Sequence, residues 1–331
     1  MQEKEGKSEV VPYHWGRYKQ ALPLPDVAAP SWRLKQWHYH SINNGRWFVG
    51  MAIVNLGYLA NAWVYLMDKQ SRSTSCEYRA LVPLSFGLSF ADSSVEGTTS
   101  WKNRGNRMVI QADQGGYAVE LHVTINGTVF DGRCTIAKPD ESLALLYPLE
   151  GPTRRRAAYT HKAAGMPVEG SFRWGDEELR FTKADSFATM DWTRSHATRE
   201  TTWKWASFAG DVSVGLNLSA EVYEAKENAF WLNGKVHLVG PVQFTLPARQ
   251  RLTQDKWTLR SHNGALQLQF TPHAAREEHV HVGVIASEFS QVGGTFSGTI
   301  DVAALEGGSS PSNVVTIEDV LGVVETHYAL W

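Results

Sequence analysis

The chain has 331 residues, with 32 Lys plus Arg against 34 Asp plus Glu. This balance excludes the broad basic surface that neutralises nucleic-acid phosphates, so no nucleic acid is expected as a partner. The length suits either two domains or one large all-β body, and the 13 tryptophans can fill β cores or line a cavity for an apolar or ring-shaped ligand.

The start, MQEKEGKSEVVPYHWGRYKQ, is polar and mixed in charge, has no apolar segment, and does not read as a secretory signal. A cytoplasmic address is therefore expected. Cys76 and Cys134 stand far apart in no CxxC pattern, which fits a reducing compartment. Without export, the glycosylation patterns at Asn126 and Asn217 carry no weight. After the Pro-rich ALPLPDVAAPSW comes RWFVGMAIVNLGYLANAWVYLMD, Arg46 to Asp68, long enough to cross a bilayer. Asn55 and Asn61 inside this run argue against hydrocarbon, where unmet amides cost several kcal/mol. Together with NLG at Asn55–Gly57 they predict two strands joined by a bend. Asn44 and Gly45, just upstream, suit a two-residue type I′ turn, which makes three consecutive strands.

Period-two alternation continues down the chain. Tyr117, Val119, Leu121, Val123 and Ile125 share one face and Glu120, His122 and Thr124 the other. AFWLNGKVHLV predicts two strands around a type I′ turn at Asn233–Gly234, and GALQLQF sets Leu266, Leu268 and Phe270 against Gln267 and Gln269. TIEDVLGVVETHY reads as either helical or extended. The fold class is all-β, with few helices and many short strands, as in sandwiches and barrels. The basic stretch EGPTRRRAAYTHKAAGMPVEG is the expected boundary, giving an extended arm over 1–30, a first β domain over 31–165 and a second over 166–331. LEGGSSPSN reads as a loop.

Reactive residue types are densest in MDWTRSHATRETTWKWASFAG, Met190 to Gly210. In this stretch Asp191 is the expected proton donor, its pKa raised by neighbouring Trp rings, with His196 as partner or base. Trp203 and Trp205 project to one side of a strand, opposite Lys204, as the floor of a pocket. Trp192, Tyr159 and Arg199 complete the expected ligand contacts. The competing reading is a salt-bridged loop in which Asp191 pairs with Arg194 or Arg199 and His196 faces water. His38 with His40, and His279 with His281, each place two imidazoles on one strand face, but no third ligand is assignable and no metal is expected. Arg154–Arg156 suit a phosphate or carboxylate, although loop charge runs are usually just solvated. GGTFSG lacks the strand-to-helix setting of a phosphate loop, and no GxSxG, HExxH or GxxxxGK[ST] pattern occurs.

The Arg46–Asp68 and Met190–Gly210 blocks, together with ENAFWLNGKVHLVGPVQF, SQVGGTFSGTI and ETHYALW, resemble in order the bacterial domain-of-unknown-function family 2804, which carries no settled activity. More distantly, the order of parts is similar to lipocalin-related two-domain β proteins that include carotenoid 1,2-hydratases, tocopherol cyclases and fungal cyclases of polyketide products. That resemblance implies two consecutive barrel or sandwich halves, an apolar cavity and, in enzymatic members, acid chemistry on an alkene-rich substrate. Those relatives often show an Asp-His-Glu-Trp-Gly block. MDWTRSHATRE keeps the Asp and a Trp but lacks the rest, so only Asp191 and Trp192 carry over. The expected function is binding of a hydrophobic small molecule in a Trp-lined cavity, with cofactor-independent hydratase, isomerase or cyclase chemistry. Trp203 and Trp205 would stack on the substrate or on a developing cation. A non-catalytic carrier and a carbohydrate-active protein are the alternatives, the latter requiring two carboxylates about 5 to 9.5 Å apart.

Overall fold

A computed structural model of the chain describes residues 14–22, 27, 33–149, 156–210, 214–305 and 313–331. Alternating apolar and polar residues produce strands such as Gly116–Ile125, and near-continuous apolar runs produce those buried on both faces, such as Trp47–Asn55. In chain order the strands are β1 (Gly16–Tyr18), β2 (Lys35–Asn43), β3 (Trp47–Asn55), β4 (Leu59–Asp68), β5 (Ser73–Pro83), β6 (Leu88–Ser89), β7 (Gly97–Asn103) and β8 (Asn106–Asp113). They continue as β9 (Gly116–Ile125), β10 (Thr128–Ala137), β11 (Leu143–Pro148), β12 (Ala157–Trp174), β13 (Glu177–Phe181), β14 (Phe187–Ser195), β15 (Glu200–Gly210) and β16 (Val214–Ala220). The last are β17 (Ala229–Leu232), β18 (Lys235–Leu238), β19 (Val242–Thr245), β20 (Trp257–Ser261), β21 (Leu266–Val282), β22 (Ile285–Asp301) and β23 (Val314–Leu330), and one short helix, α1 (Val302–Leu305), precedes β23.

The strands form two curled antiparallel sheets, each a half-barrel. The first runs β5-β4-β3-β2-β14-β12-β10-β9-β8-β7-β6, with β11 and β13 also paired to β12 and β1 to β11; the second runs β18-β17-β16-β15-β23-β22-β21-β20-β19. The run from Arg46 to Asp68 is a hairpin of two neighbouring strands, β3 and β4, paired from Trp47↔Asp68 to Asn55↔Ala60. Among the described residues, no helix is long and apolar enough to cross a membrane. Val314–Leu330, ambiguous in sequence, is extended because it lies between β15 and β22 and pairs with both.

Local chemistry explains two turns differently. Asn233 and Gly234 both take positive φ, 49° and 77°, as a type I′ turn requires. At Asn44–Gly45 only Gly45 has positive φ, 81°. There the Asn44 carboxamide oxygen accepts the backbone N–H groups of Arg46 at 3.2 Å and Trp47 at 2.8 Å while the Asn44 backbone N–H donates to the Trp47 carbonyl at 3.2 Å, so the turn is centred on Gly45–Arg46 in place of the expected Asn44–Gly45.

The expected division at 165/166 falls inside β12, and the chain changes sheet only at 196–199, between β14 and β15. The physical reason is that β12 is the most shared strand of its sheet, pairing with β10, β11, β13 and β14 along its length. Of the basic run, Arg154 and Arg155 lie outside the described residues, as does most of the LEGGSSPSN loop.

Among the described residues three large apolar clusters result, with a smaller fourth in which Leu143 and Ala164 meet Ala229, Trp231 and Val236. One fills the curl of the first sheet, around Ile42, Val119, Tyr159 and Trp192, and a second fills the curl of the other sheet, around Phe208, Trp257, Phe270 and Phe296. The third lies between the sheets, where Tyr39, Phe48, Trp63, Tyr65 and Met67 meet Trp205, Leu321 and Val323. The sheets approach closely at glycines: a Cβ on Gly293 would sit 2.5 Å from the Met67 sulfur, and one on Gly215 would sit 2.5 Å from the Ala164 Cβ. Gly293 and Gly294 of the GGTFSG stretch therefore serve packing within a strand.

Candidate functional site

The strands β2, β12 and β14 are covered on both faces, so alternation assigns each side chain to one of two destinations. On β14, Trp192 points into the first core while Asp191 points toward the second sheet. Directly opposite Asp191 in the ladder is Lys162 of β12. On β2, Trp37 and Tyr39 share the outward face, and on β15 Trp203 and Trp205 point back at them.

Between these faces lies a cavity of about 360 Å³, within the range of small-molecule sites. Its aromatic walls include Trp37, Tyr39, Trp63, Trp203, Trp205 and Phe289. Trp37 stacks on Trp203 with centroids 6.0 Å apart, and Tyr39 meets Trp205 edge-on at 5.4 Å. The indole N–H groups are satisfied by the second sheet: Trp203 donates to Glu325 Oε1 at 2.7 Å and Trp205 to Asn217 Oδ1 at 2.8 Å.

Two charged groupings border the cavity. In the first, the buried Lys162 ammonium lies 2.6 Å from Asp191 Oδ2 and 3.5 Å from Glu227 Oε2, joining the two sheets. Asp191 also accepts a hydrogen bond from the Thr193 hydroxyl at 3.1 Å. Burial works against the Lys162 ammonium, but the attraction of Asp191 and Glu227 outweighs it and holds its pKa above the ordinary lysine value. Burial, reinforced by the Asp191 charge, raises the Glu227 carboxyl, with Lys162 opposing. In the second grouping, Arg276 donates to Glu278 at 3.0 Å and pairs with Glu77 at 3.2 Å, its guanidinium 4.5 Å from the Trp63 ring centroid. Nearby, burial pushes Glu325 up to about 7 and His327 down to about 3.

Of the residues singled out from sequence, Asp191, Trp203 and Trp205 line this cavity. Trp192 and Tyr159 do not; both are fully buried in the first core, where the Tyr159 hydroxyl accepts the Leu22 N–H at 2.9 Å. His196 is buried and its Nδ1 accepts the Ala157 N–H at 3.0 Å, so the ring is neither water-facing nor part of the cavity lining. Arg199 is exposed and donates to the carbonyls of Val284, at 2.8 Å, and Trp331. Neither arginine proposed as the partner of Asp191 is one: Arg194 pairs with Asp92 at 2.7 Å, and the partner is Lys162. The reason is geometric. Cross-strand neighbours on one face meet, whereas residues close in sequence at a strand end diverge.

His38 and His40 face the first core, with Nε2 atoms 3.2 Å apart, His38 Nδ1 on the Thr99 hydroxyl at 3.2 Å, and His161 on Ser94 at 2.9 Å. His279 and His281 are exposed, facing Arg249 at 3.3 Å and Glu288 at 3.1 Å. Among the described residues, no group of three or more His, Cys, Asp or Glu is placed to hold a metal ion.

Sequence reasoning missed Lys162, Glu227, Glu325 and Arg276. For Lys162 and Glu325 a signal was present, since AAYTHKAAG and VVETHYALW each set one charge in a run of mostly small or apolar residues, whereas Arg276 in HAAREEHV and Glu227 in EAKENAF stand among other polar residues. Such a charge must find a buried partner.

Comparison with known proteins places this geometry in context. The family model described as "Domain of unknown function (DUF2804)" matches residues 9–331. No curated protein matches the chain. Among solved structures, an AttH-like protein from Nitrosomonas europaea superposes with a TM-score of 0.57 at 16% identity, covering 93% of this chain and 97% of that one. CghA with Sch210972 superposes with a TM-score of 0.54 at 11% identity, covering 97% and 95%. Kievitone hydratase from Nectria haematococca gives a TM-score of 0.48 at 12% identity, covering 90% and 88%. At these identities the likeness is one of fold.

Proposed function

The chain belongs to the DUF2804 family, and from that premise we propose that it binds a hydrophobic small molecule between its two sheets and performs cofactor-independent acid–base chemistry on a carbon–carbon double bond. The observation that carries this reading is the pairing of a Trp-walled cavity with the buried Asp191–Lys162–Glu227 grouping on its border. The presence of Sch210972 in the CghA structure supports a ligand-binding role for the fold. The two free, buried cysteines fit a cytoplasmic setting.

In this reading the roles differ from those expected of Asp191 and His196. Asp191 faces an ammonium and a hydroxyl donor, an arrangement for accepting a proton. Glu227, its carboxyl raised by burial, supplies one. Glu227 protonates an alkene carbon; the resulting cation is held against the indole faces and the Asp191 carboxylate. Water then adds to the cation and gives its proton to Asp191, or a proton leaves the neighbouring carbon to Asp191 and the double bond migrates. Lys162 lies between both carboxylates and lets the proton return to Glu227, so the protein ends unchanged.

A non-catalytic carrier remains the second reading, favoured by the ion pair that already engages Asp191. Native mass spectrometry of the purified protein should show a co-purifying apolar molecule. In deuterated water an unsaturated ligand should gain deuterium at carbon. Asp191→Asn should abolish this exchange while leaving ligand affinity within a few-fold. Exchange unchanged in Asp191→Asn would leave the carrier, and a co-purifying sugar would overturn both readings.

A further inference from the structure

Glu325 of β23 lines the same cavity, at a different point from the Asp191 grouping. Its Oε1 accepts the Trp203 N–H at 2.7 Å and its Oε2 accepts the Gln291 amide at 2.8 Å. The Gln291 orientation is fixed because its own oxygen accepts the Tyr65 hydroxyl at 2.8 Å, which leaves only its NH₂ to face the carboxylate. Both Glu325 oxygens are therefore held as acceptors, each with lone-pair capacity left, and the group is 7% exposed.

Among the described residues, no Lys, Arg or His lies within ion-pair distance of Glu325, and each nearby basic group is engaged elsewhere. Arg276 is bound by Glu278 and Glu77, and Lys162 by Asp191 and Glu227. The His327 Nε2 faces the Ser287 hydroxyl at 2.9 Å, and burial keeps the ring neutral. Around Glu325 the walls are aromatic: Trp203 carries Trp37 on one side and the edge of His327, 4.2 Å away, on another. This part of the protein already holds a cation against rings, since the Arg276 guanidinium lies 4.5 Å from the Trp63 centroid and 5.0 Å from that of Phe289.

A buried carboxylate with no resident cation, held at the N–H edge of an indole in an aromatic-walled cavity, is the environment that selects a positive charge. We propose that the ligand of this cavity is an amphiphile with a protonated amine, seated against Glu325 beside Trp37 and Trp203, its apolar part running along Ala52, Val54 and Trp63. The inference rests on the apolar-ligand reading above and adds the chemistry of the head group. A fatty carboxylate would bring a like charge to Glu325, which has no cation of its own, in a low-dielectric space.

Ionisation of Glu325 is part of this binding. The groups that bear on it are Asp191 from β14, which disfavours the anion, and Arg276 from β21, which favours it, beside Tyr39 of β2, Tyr65 of β4 and the neutral His327 of β23. Burial sets its titration near neutrality. An amine therefore binds more tightly at about pH 8 than at about pH 6, with proton release at the lower pH.

Calorimetry at about pH 8 with octylammonium, octanol and octanoate tests the head group at constant chain length. Octylammonium should bind at least about tenfold more tightly than either of the others. Glu325→Gln should remove that preference while leaving octanol affinity within a few-fold. Equal or tighter binding of octanol or octanoate overturns the inference, as does a preference that survives in Glu325→Gln. Failure of all three probes to bind would instead overturn the apolar-ligand reading, and this inference with it. Should Glu325→Gln not fold, Trp37→Leu decides: it should weaken octylammonium several-fold more than octanol, and an equal loss counts against the proposal.

Discussion

On β2, Trp37 and Tyr39 face the second sheet, while His38 and His40 face the interior of the first. On β12 and β14 the same division separates Lys162 and Asp191 from His161 and Trp192. Inside the first sheet, the partners of His38 and His161 are Thr99 and Ser94, from that sheet's own strands and loops. Toward the second sheet, the Lys162–Asp191 pair of β12 and β14 is joined by Glu227 from the other sheet and borders a void. Burial is nearly the same on both faces, so burial alone does not mark a site. What distinguishes the outward face is a set of charges that joins the two sheets beside a void wide enough for a ligand.

Substitutions can break this contrast. The largest expected effect is from Lys162→Met, which removes the cation between two buried carboxylates and should cost about 3–5 kcal/mol in chemical denaturation. Trp192→Ala, on the inner face, should cost about 3–5 kcal/mol through the cavity it leaves while ligand affinity stays within a few-fold. Trp203→Ala, on the outer face, should show the converse in paired denaturation and binding measurements. A Trp192→Ala variant that lost ligand affinity as Trp203→Ala does would erase the distinction.

The two faces should also respond oppositely to pH. His40 and His161 are held by burial at about 3 against an ordinary 6.5, so they bind fewer protons folded than unfolded. Their contribution is full above pH 6.5 and is lost as pH falls toward 3, by up to about 1.4 kcal/mol per pH unit for each ring. Replacing His161 by Phe should flatten that slope by one histidine. Glu325, raised from 4.5 to about 7, contributes fully below pH 4.5 and loses that contribution as pH rises through 7. Glu325→Gln should remove the decline in stability that this carboxyl causes between pH 4.5 and about 7. The smallest effect is expected from Arg199→Ala, whose exposed bonds to two carbonyls should contribute no more than about 1 kcal/mol to a thermal melt.

Much of the fold was legible locally. The alternation over Tyr117–Ile125 and Leu266–Phe270, and the turn chemistry at Asn233–Gly234, placed those strands and that turn where they stand. The site was legible only in part. MDWTRSHATRE drew attention to Asp191, but proximity in the chain suggested His196, Arg194 and Arg199 as companions, whereas the ladder supplies Lys162, twenty-nine positions earlier. Glu227 and Glu325 come from strands and turns of the other sheet and share no sequence window with Asp191.

Strand identity, turn positions and the two faces of each strand follow from the sequence itself, because backbone pleating fixes a period of two with no reference to distant residues. Which face becomes core and which becomes cavity wall depended on the tertiary structure. With both faces of β2, β12 and β14 covered, only the docking of the second sheet sets which face meets Glu227, Arg276 and Glu325. Alternation records that two faces exist, and the partner surface decides what each is for.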